Sequence, residues 1–134
     1  MKFETKCVVT QVEQQKNLWL MFFVEAETFG EAEEKTFKIA SSYGENVVMK
    51  AVKLSNIDSS YKSPMQEKDN KWHTVSVQYL VDLDKEKYAI THYLVEAENP
   101  NEAIAFTEER IIGQMTYDAT IVKVEETKFN DVIE

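Results

Sequence analysis

A chain of 134 residues is one ordinary domain or two very small ones, which excludes a large multidomain enzyme. Hydrophobic residues make up 43% and charged residues 29%, enough apolar material for a packed core, and no run approaches the ~20 consecutive apolar residues of a membrane helix. The 24 acidic and 15 basic residues leave a net charge of -9, which repels phosphate backbones at long range and sets duplex DNA aside as a target.

Taken in chain order, Thr5 to Val12 alternates apolar and polar residues and predicts a strand. The polar turn Gln14-Gln15-Lys16-Asn17 joins it to a second apolar run, Leu18 to Ala26, which makes a hairpin. Thr28 is the N-cap of the following helix, with Glu31 completing a capping box; the helix runs to about Ser42, and Gly44 stops it in the left-handed conformation. A third strand covers Val47 to Leu54. Residues 59–70 are polar, contain Pro64 and read as a linker. The same order then returns: a strand from Lys71 to Val81, the turn Asp84-Lys85-Glu86-Lys87, and a strand from Tyr88 to Ala97. A helix capped by Asn99, with Pro100 at its first position, runs to about Ile112, where Gly113 stops it, and Thr120 to Glu125 is the last strand.

The two halves align. Phe22-Phe23-Val24-Glu25-Ala26-Glu27 lies over Tyr93-Leu94-Val95-Glu96-Ala97-Glu98, Glu31-Ala32 over Glu102-Ala103, and Ala51-Val52-Lys53-Leu54 over Ile121-Val122-Lys123-Val124. The expected fold is α+β: two tandem ββαβ repeats, 1–58 and 71–134, joined by the 59–70 linker into one compact domain, an antiparallel sheet with two helices on one face.

In such a sheet Leu20, Phe22, Val24 and Ala26, with Thr91, Tyr93, Val95 and Ala97, face the helices. The opposite face then carries Trp19, Met21, Phe23, Ile90, His92 and Leu94, which is costly to leave in water at ~25 cal/mol per Å². A homo-oligomer, dimer or higher, is expected to bury that face, and a ligand pocket formed by oligomerisation is the sharper alternative.

The segments Phe22-Phe23-Val24-Glu25-Ala26, Tyr93-Leu94-Val95-Glu96-Ala97, Glu31-Ala32-Glu33 and Asp131-Val132-Ile133 resemble the family called domain of unknown function 4494, found in gut bacteria and their phages. The likeness covers nearly the whole chain. It implies a phage or phage-derived origin and a duplicated fold, and brings no catalytic residues. The family's Lys-Val-Thr-Glu signature is replaced here by Asn17-Leu18-Trp19-Leu20, so no role of that signature carries over.

Candidate chemistry is sparse. A register that sets His92 opposite Gln78 keeps His92 too far from His73 to share a metal within one chain. Cys7, mid-strand and without a nearby base in sequence, reads as a small buried hydrophobe. No carboxylate pair stands out, and three glycines supply no phosphate-cradling loop. The chain is therefore expected not to be an enzyme, and to need no cofactor or metal. Met1-Lys2-Phe3-Glu4 lacks a signal-peptide pattern, and the host bacterial cytosol is the expected location.

The leading expectation is a phage-type binding protein that sequesters a small nucleotide-like ligand of host defence signalling. Trp19 and Phe23 would stack, His92 would add a polar contact, and Lys53, Lys123 and Arg110, the only arginine, would meet phosphate. One alternative is a single-strand nucleic-acid binder using Trp19, Phe23, Trp72 and Tyr79 with Lys50, Lys53 and Lys123. The other is a protein-protein adaptor or an inhibitor of a host protein. In the nucleic-acid case the tail Asn130 to Glu134 would be a partner-recruiting tip, and otherwise a solvated end.

Overall fold

The computed structural model describes residues 1–65, 69–116 and 118–134. In chain order its elements are β1 (Lys2–Gln11), β2 (Lys16–Glu25), α1 (Phe29–Ala40), β3 (Glu45–Leu54), β4 (Ile57–Tyr61), β5 (Lys71–Asp82), β6 (Lys87–Ala97), α2 (Pro100–Phe106), β7 (Ala119–Glu126) and β8 (Asp131–Ile133). A π turn, Thr107–Ile111, and a 3-10 turn, Ile112–Gln114, prolong α2.

These elements form a mixed α+β structure with two four-stranded sheets, not the single antiparallel sheet expected from sequence. The first, ordered β3-β1-β2-β8, lies in a unit made of Met1–Asn56 and Lys128–Glu134; the second, β4-β6-β5-β7, lies in Ile57–Thr127. Each sheet is antiparallel except at one edge, where β8 pairs parallel to β2 and β4 parallel to β6. The expected linker thus begins as a strand, with Ile57 buried and Tyr61 edge-on to Tyr93 and tilted against Phe106. Within it, residues 66–68 lie outside the described residues. The tail is likewise no solvated tip: Val132 is buried opposite Phe23, and Asn130 clasps Met21 through both backbone groups, donating to Met21 O at 2.7 Å and accepting from Met21 N at 2.9 Å.

Local chemistry explains the helices. Thr28 Oγ1 accepts from Glu31 N at 3.1 Å and Asn99 Oδ1 from Glu102 N at 2.9 Å, each such cap worth ~1 kcal/mol. Glu31 and Glu102 each accept in return from the residue preceding the cap, Glu27 N at 3.1 Å and Glu98 N at 3.2 Å. The expected glycine stops are corrected, because neither Gly44 nor Gly113 has positive φ; among the described residues the left-handed ones are Gln15, Asn46 and Glu86. At the end of α1 the hydroxyls of Ser41 and Ser42 donate to the carbonyls of Phe37 and Ile39. Gly44 is needed for space, since a Cβ there would stand 2.6 Å from Thr10 O.

Each sheet packs its own helix. In the first unit Phe3, Cys7, Val9, Leu20, Phe22 and Val24 close on Ala32 and Ala40, whose small side chains let the helix approach. Thr36 donates to Ala32 O at 2.8 Å, so at the Thr5–Thr36 contact of 2.8 Å Thr5 is the donor and both buried hydroxyls are satisfied. In the second unit Val75, Val77, Tyr93 and Val95 pack with Ala97, Ala103 and Ile111, and Thr107 donates to Ala103 O at 2.8 Å.

Candidate functional site

On β1 the odd-numbered residues from Phe3 to Val9 are buried in the core, so Glu4, Lys6 and Val8 lie on the face turned away from α1. The β1–β2 register sets Val8 opposite Trp19, Lys6 opposite Met21 and Glu4 opposite Phe23. Trp19 is 60% exposed there, while Phe23 is 1% exposed because the Phe129 ring, 6.2 Å away and edge-on, covers it.

The β1–β3 pairing supplies the rest of the site. Lys6 faces Ala51 and Cys7 faces Met49, which leaves Lys50 as the extra residue of a β-bulge. A bulge re-aims its side chain, and Lys50 Nζ lies over the Trp19 ring at 5.9 Å from its centroid. On the same face Lys53 Nζ stands 3.9 Å from Glu4 and Lys2 Nζ 3.0 Å from Glu25. The Lys2 hydrogen bond and charge hold the Glu25 carboxyl below its ordinary value. Among the described residues neither Lys6 nor Lys50 forms an ion pair. An open indole with two uncompensated ammonium groups is a local cationic, aromatic surface on a chain of net charge -9.

The other sequence candidates are distributed elsewhere. Met21 is half-buried under its clasp with Asn130. In the second unit Ile90 is 53% exposed, Leu94 is fully buried beside β4, and His92 is half-buried with Nδ1 2.7 Å from Ser76 Oγ. Phe23 and Leu94 therefore offer no surface to a ligand or partner, contrary to expectation. The expected register is corrected too: His92 faces Ser76 and Ile90 faces Gln78, and His73, paired with Val95, sits on the opposite side of the sheet from His92. Lys123 is exposed on β7 with Nζ 3.4 Å from Glu125. Arg110 lines a groove of about 250 Å³ whose walls include Glu96, Glu98, Glu102 and Glu109, a setting that repels phosphate. Trp19, Phe23 and Lys53 belong to the first unit, and His92, Arg110 and Lys123 to the second.

Lys6 went unremarked in sequence, although outward alternation along β1 points to it. Lys50 could be named but not placed, because a bulge leaves no periodic signal. Burial raises the Cys7 thiol pKa, which keeps it protonated and unreactive. Among the described residues no three His, Cys, Asp or Glu side chains gather in metal-binding geometry, and no helix is long and apolar enough to cross a membrane.

Compared with known proteins, residues 2–134 match the family model described as Domain of unknown function (DUF4494). No curated protein and no solved structure matches the chain.

Proposed function

We propose, from the premise that the chain belongs to the family Domain of unknown function (DUF4494), that it is a non-enzymatic protein capturing a small nucleotide-like ligand on the outer sheet face of its first unit. The observation that carries this reading is Trp19, 60% exposed, with the unpaired cations Lys50 above its ring and Lys6 on the neighbouring strand. Stacking a base on an exposed aromatic ring is worth ~1–3 kcal/mol, and cations placed beside it recognise phosphate. On this reading the protein is a phage-type sequestering protein of the host bacterial cytosol.

The finer architecture belongs to the same proposal. The two units are diverged copies of one ββαβ repeat, which the paired caps Thr28 and Asn99, the helix back-bonds of Thr36 and Thr107, and the left-handed turn residues Gln15 and Glu86 support. In the second unit a bulge recurs between Ser76 and Val77, with Val122 as its extra residue. Ile90 there takes the place of Trp19, Val122 that of Lys50 and Ser76 that of Lys6, which corrects the sequence alignment of the third strands by two residues, since Val124 and not Val122 then matches Val52. These three positions carry no charge, although Lys123 pairs across from Ser76, and the exposed Tyr88, Ile90 and Val122 favour, as a second reading, self-association.

Titration of tryptophan fluorescence with adenosine diphosphate tests the ligand reading, because Trp72 is 5% exposed and Trp19 is the ring within a solute's reach. Quenching that saturates below millimolar concentration is expected. Calorimetry on Trp19→Leu should then show affinity reduced about tenfold, the equivalent of 1.4 kcal/mol. Binding by the wild-type chain that Trp19→Leu leaves intact would place the site elsewhere, and no binding at millimolar nucleotide would end the proposal.

A further inference from the structure

We infer that Lys50 is a phosphate-dependent gate on Trp19 that favours phosphorylated nucleotides over free nucleosides; this rests on the nucleotide-binding reading above. The ammonium of Lys50 already occupies the ring face, 5.9 Å from the centroid. Stacked bases lie about 3.4 Å apart, so a base laid on Trp19 leaves less than a van der Waals separation between itself and an ammonium in that position. A base stacked on that face of the ring must displace Lys50. Displacement forfeits the cation–π contact, and among the described residues no carboxylate pairs with Lys50 to receive it.

A nucleoside brings no anionic group to pair with the displaced ammonium, whereas the phosphate of a nucleotide does. The bulge makes this geometry possible. Lys50 has no cross-strand partner on β1 and is held by a single edge strand, so its side chain can swing from the ring to a nearby anion without disturbing the ladder. Lys6 differs. It stands in register with Met21 and Ala51 rather than over the ring, so it attracts phosphate without obstructing the base.

The test compares adenosine and adenosine diphosphate on the wild-type chain, Lys50→Met and Lys6→Met, by calorimetry across a salt series. Methionine keeps most of the length of the lysine stem and removes the charge. For Lys50→Met, adenosine binding should tighten about two- to fivefold, the equivalent of the ~0.5–1 kcal/mol of an exposed cation–π contact. Adenosine diphosphate should not tighten, and the slope of log affinity against log salt should flatten by about one. Lys6→Met should weaken the diphosphate and leave adenosine unchanged. If Lys50→Met shifts both ligands equally, or fails to improve adenosine, the gate is wrong while Trp19-dependent binding stands. If the wild-type chain binds neither ligand, the nucleotide reading falls and the gate with it.

Discussion

Replacing Gly44 and Gly30 by alanine, one at a time, tests whether close packing or backbone freedom governs this fold's glycines. At Gly44 the added Cβ would stand 2.6 Å from Thr10 O and 3.0 Å from Cγ2 of the fully buried Val9. Carbon–oxygen contacts ordinarily lie at about 3.3–3.6 Å, so roughly 0.7 Å must come from moving backbone. Thr10 pairs with Glu45 at the start of β3, so that movement strains the ladder. Overpacking of this kind costs about 1–3 kcal/mol, against which alanine returns about 0.4–1 kcal/mol by restricting the unfolded chain. The net expectation is a destabilisation of roughly 1–2 kcal/mol. Gly30 reverses the sign: it lies in the first turn of α1 without positive φ, and its nearest neighbour to a new Cβ is Thr28 Oγ1 at 3.9 Å. Alanine there should stabilise by about 0.5–1 kcal/mol. Urea unfolding followed by circular dichroism reads both: with a slope near 2 kcal/mol per M, the Gly44→Ala midpoint should fall by about 0.5–1 M, and the Gly30→Ala midpoint should rise. A Gly44→Ala protein as stable as wild type would refute the packing argument.

Two further outcomes are expected. The Glu31 carboxyl sits below its ordinary value of 4.5 because it accepts from Glu27 N and then from Lys35. A depressed folded-state pKa contributes stability that is present above the unfolded value and lost as pH falls through the folded one. Glu31→Gln, which still offers an acceptor oxygen, should therefore reduce the loss of unfolding midpoint between pH 6 and about pH 3, and an undiminished acid loss would contradict the assignment. The second concerns self-association: sedimentation velocity at micromolar concentration should show a species larger than the 134-residue chain, and Ile90→Ser should shift it toward monomer. A wild-type monomer refutes that reading.

Much of the fold was legible because its signals are local. Thr28 with Glu31, and Asn99 with Pro100 and Glu102, announce helix starts through groups a few residues apart, and strand alternation marked Phe22, Val24, Tyr93 and Val95 as core. β4 and β8 escaped because five and three residues carry no readable period, and what holds them is backbone pairing with β6 and β2. Phe23 and Leu94 were misplaced for a related reason, since nothing in β2 or β6 themselves tells of Phe129 or of a strand beside Leu94. The left-handed turn at Glu86 and the bulge near Leu80 reset the pairing of His92. At the candidate site Trp19 was legible as an outward aromatic, but its partner Lys50 was not, because the bulge that aims it is a property of two strands together.

Under the proposed duplication, each unit is a control for the other. Positions that bear the architecture keep their chemistry in both units: Glu31 and Glu102 close the caps, Thr36 and Thr107 bond back to Ala32 and Ala103, and Gln15 and Glu86 turn the hairpins. The outward positions around the bulge do not, for Trp19, Lys50 and Lys6 stand where the second unit has Ile90, Val122 and Ser76. Because strand, register and bulge are shared, the fold cannot demand a tryptophan between lysines in one unit and three uncharged residues in the other. On the proposed reading, a ligand with a planar ring and a negative charge selects the residues of one face and a nonpolar contact those of the other. On this reading each chain offers one nucleotide site, and the titration that tests Trp19 should saturate at one ligand per chain.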